Sequence, residues 1–383
     1  MHVHSFSKGL PDHLFPMFIA NGVTEIRDMG GNIPLPEVAR IKQEIASGSR
    51  LGPEINAAGP ILEGEQPFRP FSISVKNELE APLAASQLVE QGAEFLKGYN
   101  TLSRPAYPGI AAQAKQLRVS FVGHIPDSIT PAEASDPGQK SIEHLWRIPN
   151  NVVARPEKLK ILSTDAANAQ NPKAARELHS QSNEIILADY DQTKARKLHA
   201  KYSRNQTWQT PTLVVLRSYA SIHDPALRQD PRMAYFSEDL RKFWGSMGGS
   251  PDPRNGDVQR RLFQHDIEIV RSMHAAGVPL LAGTDTLNPY TYPGFSLPEE
   301  LQLLVSAGLS PAEALQNATL RAAQFLGVER NYGSVEPGKV ANLVLLDANP
   351  LDDISNVQKS ARLFSAGDFS TGLFWMICSH CSG

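Results

Sequence analysis

The chain has 383 residues, a net charge of −3 and 41% hydrophobic residues, the make-up of a globular chain long enough for one large core and a small appendage. No basic excess points to nucleic acid, and no apolar run is long enough to span a membrane. The only two cysteines, Cys378 and Cys381, rule out a disulfide scaffold. No basic-then-apolar leader opens the chain, so as given it is read as cytoplasmic, although its start looks cut.

His2-Val3-His4 stands at the head of the chain. On an extended segment, side chains two residues apart share a face, so both imidazoles can grip one metal ion. Leu10 to Asn21 has the apolar pattern of a short helix, and Val23 to Met29 reads as a strand closed by Gly30-Gly31. Pro36 to Ser47 is helical by its spacing, Glu54 to Leu62 is the next strand, and Leu79 to Gln91 is helical again. Ala93 to Lys97 looks like a buried strand, Pro108 to Gln116 a helix, Val119 to His124 a strand, and Ser141 to Leu145 a shorter one. Alternation of this kind predicts parallel strands with helices outside.

From Ile148 to Arg204 the pattern becomes charged and mostly helical, which suits an insertion forming a lid over a site. Thr210 to Val215 restores the strand rhythm, and a polar excursion rich in Pro and Gly covers Ser218 to Gly256. Val258 to Ala276 is an amphipathic helix feeding a last strand, Val278 to Asp285. With the His2 segment counted as the remnant of the first, eight strands are found, and the predicted fold is α/β, a (β/α)8 barrel over residues 1–330. Helices follow at Leu297 to Ala307 and Pro311 to Phe325, the second opened by a Ser310-Pro311-Ala312-Glu313 capping box. Ala341 to Asp347 is a strand outside the barrel repeat, so residues 331–363 are taken as the remnant of a small β-domain. Residues 364–383 form an apolar-aromatic tail in which no closing strands are expected. The candidate ligands Lys97, His124, His144 and Asp285 all fall at the ends of short apolar runs, where a barrel gathers side chains at one mouth.

These pieces together carry a family likeness. His2-Val3-His4, Gly22-Val23-Thr24 with Arg27-Asp28, Phe95-Leu96-Lys97, Gly123-His124, Glu143-His144, Ala282-Gly283-Thr284-Asp285 and Gly338-Lys339-Val340-Ala341-Asn342-Leu343 run in one order over residues 1–355. In this the sequence resembles the amidohydrolase superfamily of metal-dependent hydrolases, in the branch of imidazolonepropionase-like proteins and Xaa-Pro or Xaa-Arg dipeptidases. The resemblance implies a binuclear centre, with zinc the expected metal, His2, His4 and Asp285 on the first ion and His124 and His144 on the second. It also implies that Lys97, which as an ammonium would repel cations, is converted by CO2 to a carbamate that bridges the pair. Two metals about 3.5–4 Å apart bring the pKa of a shared water to roughly 7. The implied reaction is attack of that hydroxide on an amide carbonyl, with Asp285 moving the proton to the leaving nitrogen.

Simpler readings accompany each residue. His124 or His144 alone suits a hydrogen-bonded core histidine, Asp285 after Gly-Thr suits a cap or turn, and Lys97 suits a strand-end lysine that snorkels to solvent. A mononuclear site with a structural Lys97 is the alternative to the pair. Tyr99 either orients a substrate or simply packs. His265 and His274 read as surface or packing residues, and His13, His179, His199 and His223 as partnerless ones. Cys378-Ser379-His380-Cys381 has a zinc-ligand spacing but stands isolated, and Arg27 and Asp28 read as barrel braces. The expected activity is hydrolysis of an amide-type C–N bond in a dipeptide, N-acyl amino acid or cyclic amide. Competing readings are a deaminase or cyclic-imide hydrolase on the same scaffold, and a catalytically inactive barrel fragment. The expected partner is a small-molecule substrate, not nucleic acid or membrane, and a homo-oligomer is compatible with this reading.

Overall fold

The computed structural model describes residues 1–370 apart from 8, 70, 248–252 and 366–367. The Cys378–Cys381 motif therefore lies outside the described residues. The strands are β1 (Glu25–Asp28), β2 (Glu54–Ala57), β3 (Leu62–Glu63), β4 (Ile73–Ser74), β5 (Phe95–Gly98), β6 (Ser120–Gly123), β7 (Ser141–Glu143), β8 (Trp208–Thr210), β9 (Leu343–Leu346), β10 (Ser360–Ser365) and β11 (Asp368–Ser370). Between and after them come α1 (Pro11–Ala20), α2 (Leu35–Ala46), α3 (Glu80–Glu90), α4 (Ala106–Leu117), α5 (Pro131–Ser135), α6 (Ile148–Asn151), α7 (Pro156–Ala167), α8 (Pro172–Ala188) and α9 (Gln192–Asn205). The series ends with α10 (Leu213–Ala220), α11 (Pro225–Arg228), α12 (Glu238–Ser246), α13 (Pro253–Ala275), α14 (Ser296–Ser306), α15 (Pro311–Ala318) and α16 (Leu320–Leu326).

β1 pairs in parallel with β2, and β4-β3-β5-β6-β7-β8 form a second, parallel sheet. Single contacts join the two into a ring. The Glu94 amide donates to Ala57 O at 3.0 Å, linking β2 to β5; Gln209 bridges Leu280; and Val3 bridges both Asp28 and Thr286. The circuit through the His2 segment, β1, β2, β5, β6, β7, β8 and the 280–286 segment is the α/β architecture of a (β/α)8 barrel, with four of its eight junctions made by single contacts and not ladders. Two glycines let the walls approach. A Cβ at Gly123, whose φ is +120°, would lie 2.3 Å from Gly98 O, and one at Gly283 would lie 2.5 Å from Thr210 Cγ2.

Several predicted boundaries need correction. The Val278–Asp285 run forms no strand. It makes an isolated bridge at Leu280, and the chain turns left-handed at Asp285 (φ +50°) before a second bridge at Thr286. In place of one strand over Thr210–Val215, β8 stops at Thr210 and α10 begins at Leu213 after a left-handed Thr212 (φ +49°). The buried Glu300 carboxylate accepts the Val214 amide at 2.7 Å, so a residue from α14 holds the start of this helix, and a short apolar run cannot announce that. Likewise Glu54–Leu62 divides into β2 and β3, and the helix predicted over Pro311–Phe325 breaks at Thr319, whose hydroxyl donates back to Leu315 O at 2.8 Å. The Ser310–Glu313 capping box forms as predicted.

Residues 148–205 form the helical run α6–α9, and α11, α12 and the last turn of α10 lie within the stretch that reads as a polar excursion. Beyond the barrel, β9, β10 and β11 make an antiparallel sheet. Strand β11 lies inside the tail, where no strand is expected from the sequence, since three residues are too few to show a period of two. One end of the barrel interior is filled by Met29, Phe95, Val122, Leu281 and Phe325, where the Arg27 guanidinium lies 4.8 Å above the Phe325 ring. Among the described residues, no helix is long and apolar enough to cross a membrane.

Candidate metal centre

Each predicted ligand leaves the end of a strand or bridge. Val3 is pinned on both sides, so His2 and His4 project from one face of a fixed segment. Lys97 lies inside β5 and is 1% exposed. His124 follows β6 and His144 follows β7, the latter at φ +61°. Asp285 sits at φ +50°. Left-handed geometry at non-glycine residues carries strain, and here it turns two side chains inward at the strand ends.

His2, His4, His144 and Asp285 meet directly, and Lys97 and His124 lie beside them. Asp285 Oδ1 lies 3.3 Å from His2 Nε2 and 3.5 Å from His4 Nε2, and its Oδ2 lies 3.6 Å from His144 Nε2. Donor atoms of His2, His144 and Asp285 all fall within 4.8 Å of one another. Lys97 Nζ is 3.4 Å from His4 Nε2, and the His124 and His144 ring centroids are 5.1 Å apart.

The outer nitrogens fix the tautomers. His2 Nδ1 donates to Glu143 Oε2 at 2.7 Å, His4 Nδ1 to Gly30 O at 2.6 Å, and His124 Nδ1 to Asn100 Oδ1 at 2.7 Å. The Thr212 hydroxyl donates its proton to Pro211 O, so at 2.7 Å it accepts from His144 Nδ1. All four rings are thereby held with the proton on Nδ1 and a bare Nε2, and the Nε2 atoms of His2, His4 and His144 face the Asp285 carboxylate. His2 Nε2 is buried without a hydrogen-bond partner. Lone pairs facing a carboxylate repel one another, and a cation between them removes the conflict. This donor set of neutral imidazoles and carboxylate fits zinc or a similar divalent ion.

Electrostatics point the same way. Burial, and then the neighbouring positive groups, hold His2, His4 and His124 well below the usual imidazole range, and burial takes His144 down to about 3. Neutral imidazole is the ligating form. Burial pushes Asp285 up to about 7 and draws Lys97 down to about 8.

Tyr99 is packed against the site, its ring stacked on His124 at 4.3 Å, and Trp146 also stacks on His124, at 4.5 Å. Arg27 and Asp28 act as braces. Arg27 binds Glu143 at 3.0 Å and Ser141 at 3.2 Å, while Asp28 takes the Ser5 and Gly30 amides at 2.5 and 2.9 Å. Of the partners behind the rings, Glu143 enters the sequence reading only as half of a motif, and Asn100 and Thr212 do not enter it; adjacency to a ligand or strand end is the only local signal they carry. Of the remaining histidines, His199 is buried and bonded to Ser272 at 3.1 Å, and His265 meets the Tyr190 ring edge-on at 4.6 Å. His274 lies 3.6 Å from Glu313, and His13 bonds Tyr235 O at 2.5 Å, so His199 and His13 are not partnerless.

A model of the amidohydrolase family matches residues 237–367. Imidazolonepropionase of Geobacillus kaustophilus is 42% identical over 78 residues, 20% of this chain and 18% of that protein. The same-named protein of Pseudomonas savastanoi pv. phaseolicola is 38% identical over 87 residues, 22% of this chain and 21% of that one. The matched stretches thus span about a fifth of those relatives' length. Among solved structures, a bottromycin amidohydrolase superposes with a TM-score of 0.77 at 18% identity, covering 100% of this chain and 78% of that one. A Xaa-Pro dipeptidase with bound methionine does so at 0.60 and 20%, covering 97% and 85%. At such identities these two show a shared fold.

Proposed function

Because residues 237–367 match the amidohydrolase family and the fold is shared with a solved amidohydrolase, we propose that this chain is a metal-dependent hydrolase of an amide-type C–N bond in a small molecule, with a binuclear zinc centre. The observation that carries this reading is the convergence of three imidazole nitrogens, from His2, His4 and His144, on the Asp285 carboxylate, with His124 beside His144 and every ring locked from behind. His2, His4 and Asp285 would hold one ion, His124 and His144 the other, and a carbamate on Lys97 would join them. When bound, such a pair lowers the pKa of water to roughly 7 and polarises a carbonyl.

The chain's own groups supply the rest. Asp285 touches three imidazoles and stands at the mouth, where its carboxylate can take a proton from water and return it to a leaving nitrogen. Glu143, Gly30, Asn100 and Thr212 keep the four rings neutral and oriented. Lys97 is drawn toward its neutral form by burial, and neutral amine is the form that attacks CO2. Tyr99, on the rim beside His124, is placed to contact a substrate.

Metal analysis of the purified protein, followed by assay of the loaded form on dipeptides, N-acyl amino acids and cyclic amides, tests the reading. About two equivalents of zinc and turnover of an amide substrate, both abolished by a chelator, are expected; no metal uptake together with no hydrolysis overturns it. Lys97→Ala is expected to bind about one equivalent fewer and to lose activity. Unchanged metal content and turnover would remove the carbamate from the mechanism.

A further inference from the structure

Helix α10 opens on a threonine that does not cap it. A threonine or serine before a helix ordinarily turns its hydroxyl onto one of the first free amides, as Thr130 does for α5 and Ser310 for α15. Thr212 makes no such bond. It stands in left-handed backbone, at φ +49°, and its hydroxyl is committed elsewhere, donating to Pro211 O at 2.8 Å and accepting the His144 Nδ1 proton at 2.7 Å. The Val214 amide, which a cap oxygen would ordinarily take, is received instead by Glu300 of α14, 86 residues away, at 2.7 Å. Glu300 is fully buried, its other carboxyl oxygen has no hydrogen-bond partner, and burial pushes its pKa up to about 8. An apolar side chain would fill that space without such a cost, but only an acceptor satisfies the amide. Glu299, the next residue of α14, pairs with Arg217 in the last turn of α10, so α14 grips α10 at both ends.

We propose that Glu300 is a positioning residue for His144: by capping α10 from a neighbouring helix, it leaves the Thr212 hydroxyl free to hold the imidazole. The two uses of that hydroxyl exclude each other. A capping threonine lies in extended backbone with its oxygen over the second or third amide of its own helix, whereas Thr212 lies left-handed with its oxygen on the His144 ring. Left-handed backbone at a β-branched residue is strained and persists only where the surroundings over-determine it. With the Val214 amide unmet, the relaxed conformer that caps α10 gains a hydrogen bond and sheds the strain. His144 Nδ1 then loses its acceptor, and the ring proton is free to move to Nε2, the nitrogen 3.6 Å from Asp285. A ring protonated there cannot ligate through that atom. The inference uses the hydrolase reading only in treating His144 as a metal ligand.

Heteronuclear NMR of the histidine rings in the metal-free protein, held above the pH range in which imidazole is protonated, reads each tautomer without any turnover. Wild-type His144 is expected wholly in the Nδ1–H form. Glu300→Ala is expected to give a mixture at His144 while His2, His4 and His124 stay unchanged, and Glu300→Gln, which keeps an acceptor oxygen, to restore the wild-type form. Glu299→Gln, which loosens α14 from α10 without touching the Val214 amide, is expected to leave His144 as it is. A wild-type His144 signal in folded Glu300→Ala, an equal change in all four rings, no rescue by glutamine, or the same change in Glu299→Gln overturns the proposal. Hydrogen exchange in Thr212→Val decides the matter even where Glu300→Ala does not fold. There the Val214 amide is expected to keep its protection, since its acceptor lies on α14, while His144 leaves the Nδ1–H form. Exchange at Val214 roughly fivefold faster, the loss of an ordinary cap, would show Thr212 capping its own helix and overturn the proposal. Competition with a chelator is expected to show zinc held roughly tenfold more weakly in Glu300→Ala than in Glu300→Gln. In a Thr212→Val background that loss should vanish, and full additivity of the two changes removes the route through Thr212. Should the protein take up no zinc, the hydrolase reading falls, while the tautomer and exchange results still decide the role of Glu300.

Discussion

Replacing Asp285 with asparagine is expected to lower kcat for amide hydrolysis by about 10²–10⁴-fold while the barrel stays folded. The asparagine keeps the shape of the side chain and one oxygen at the centre, but it cannot accept a proton. The effect should fall mainly on kcat, since proton transfer is felt in the transition state and little in substrate binding. A rate within a few-fold of wild type would take Asp285 out of the proton path. The metal-free protein offers an independent check. Burial raises the acid from 3.8 to about 7, so the stability that its protonated form contributes is fully present below the unfolded value and is lost as pH rises toward 7. Metal-free Asp285→Asn should therefore lose less Tm than wild type between pH about 4 and about 7, whatever its activity.

Glu143→Gln is expected to destabilise the metal-free protein by about 3–5 kcal/mol, read from urea-induced unfolding. Glu143 is fully buried, and so are its partners. It accepts Arg27 at 3.0 and 3.1 Å, Ser141 at 2.5 Å and His2 at 2.7 Å. Glutamine preserves size and some hydrogen bonding but leaves the Arg27 guanidinium as an uncompensated buried charge, and this accounts for the size of the expected loss. The same change loosens the seat of His2, so metal affinity measured against a competing chelator should fall by roughly 10–100-fold. A stability loss under about 1 kcal/mol, the range of an exposed pair, would mean that Arg27 finds another partner and that the charge network is not what braces His2.

The candidate metal ligands are legible in the sequence because chemistry limits which residues can serve. Imidazole and carboxylate at the ends of short apolar runs have few other uses when they recur in order, and His2-Val3-His4 carries its geometry in its spacing. The groups behind them are not legible in this way. Asn100, Thr212 and Gly30 act through a side-chain oxygen or a backbone carbonyl that occurs throughout the chain, and only their distance to a ring nitrogen distinguishes them. Glu143 could have been suspected, since a carboxylate on a strand of a parallel sheet covered on both faces demands a partner. Its partners Arg27 and His2, however, lie 116 and 141 residues away.

The run of alternating apolar and helical segments determined that this chain would build parallel strands with helices outside, since each segment must bury its apolar face against a neighbour. Residue type determined which side chains could meet a cation. The tertiary structure decided where the strands stop. Thr212, His144 and Asp285 enter left-handed backbone that their own residue types disfavour, and α10 starts where a carboxylate from α14 receives its amide. It also decided the protonation of the four imidazoles, because burial and the direction of each hydrogen bond belong to the packed ensemble of neighbours and not to any local stretch of chain.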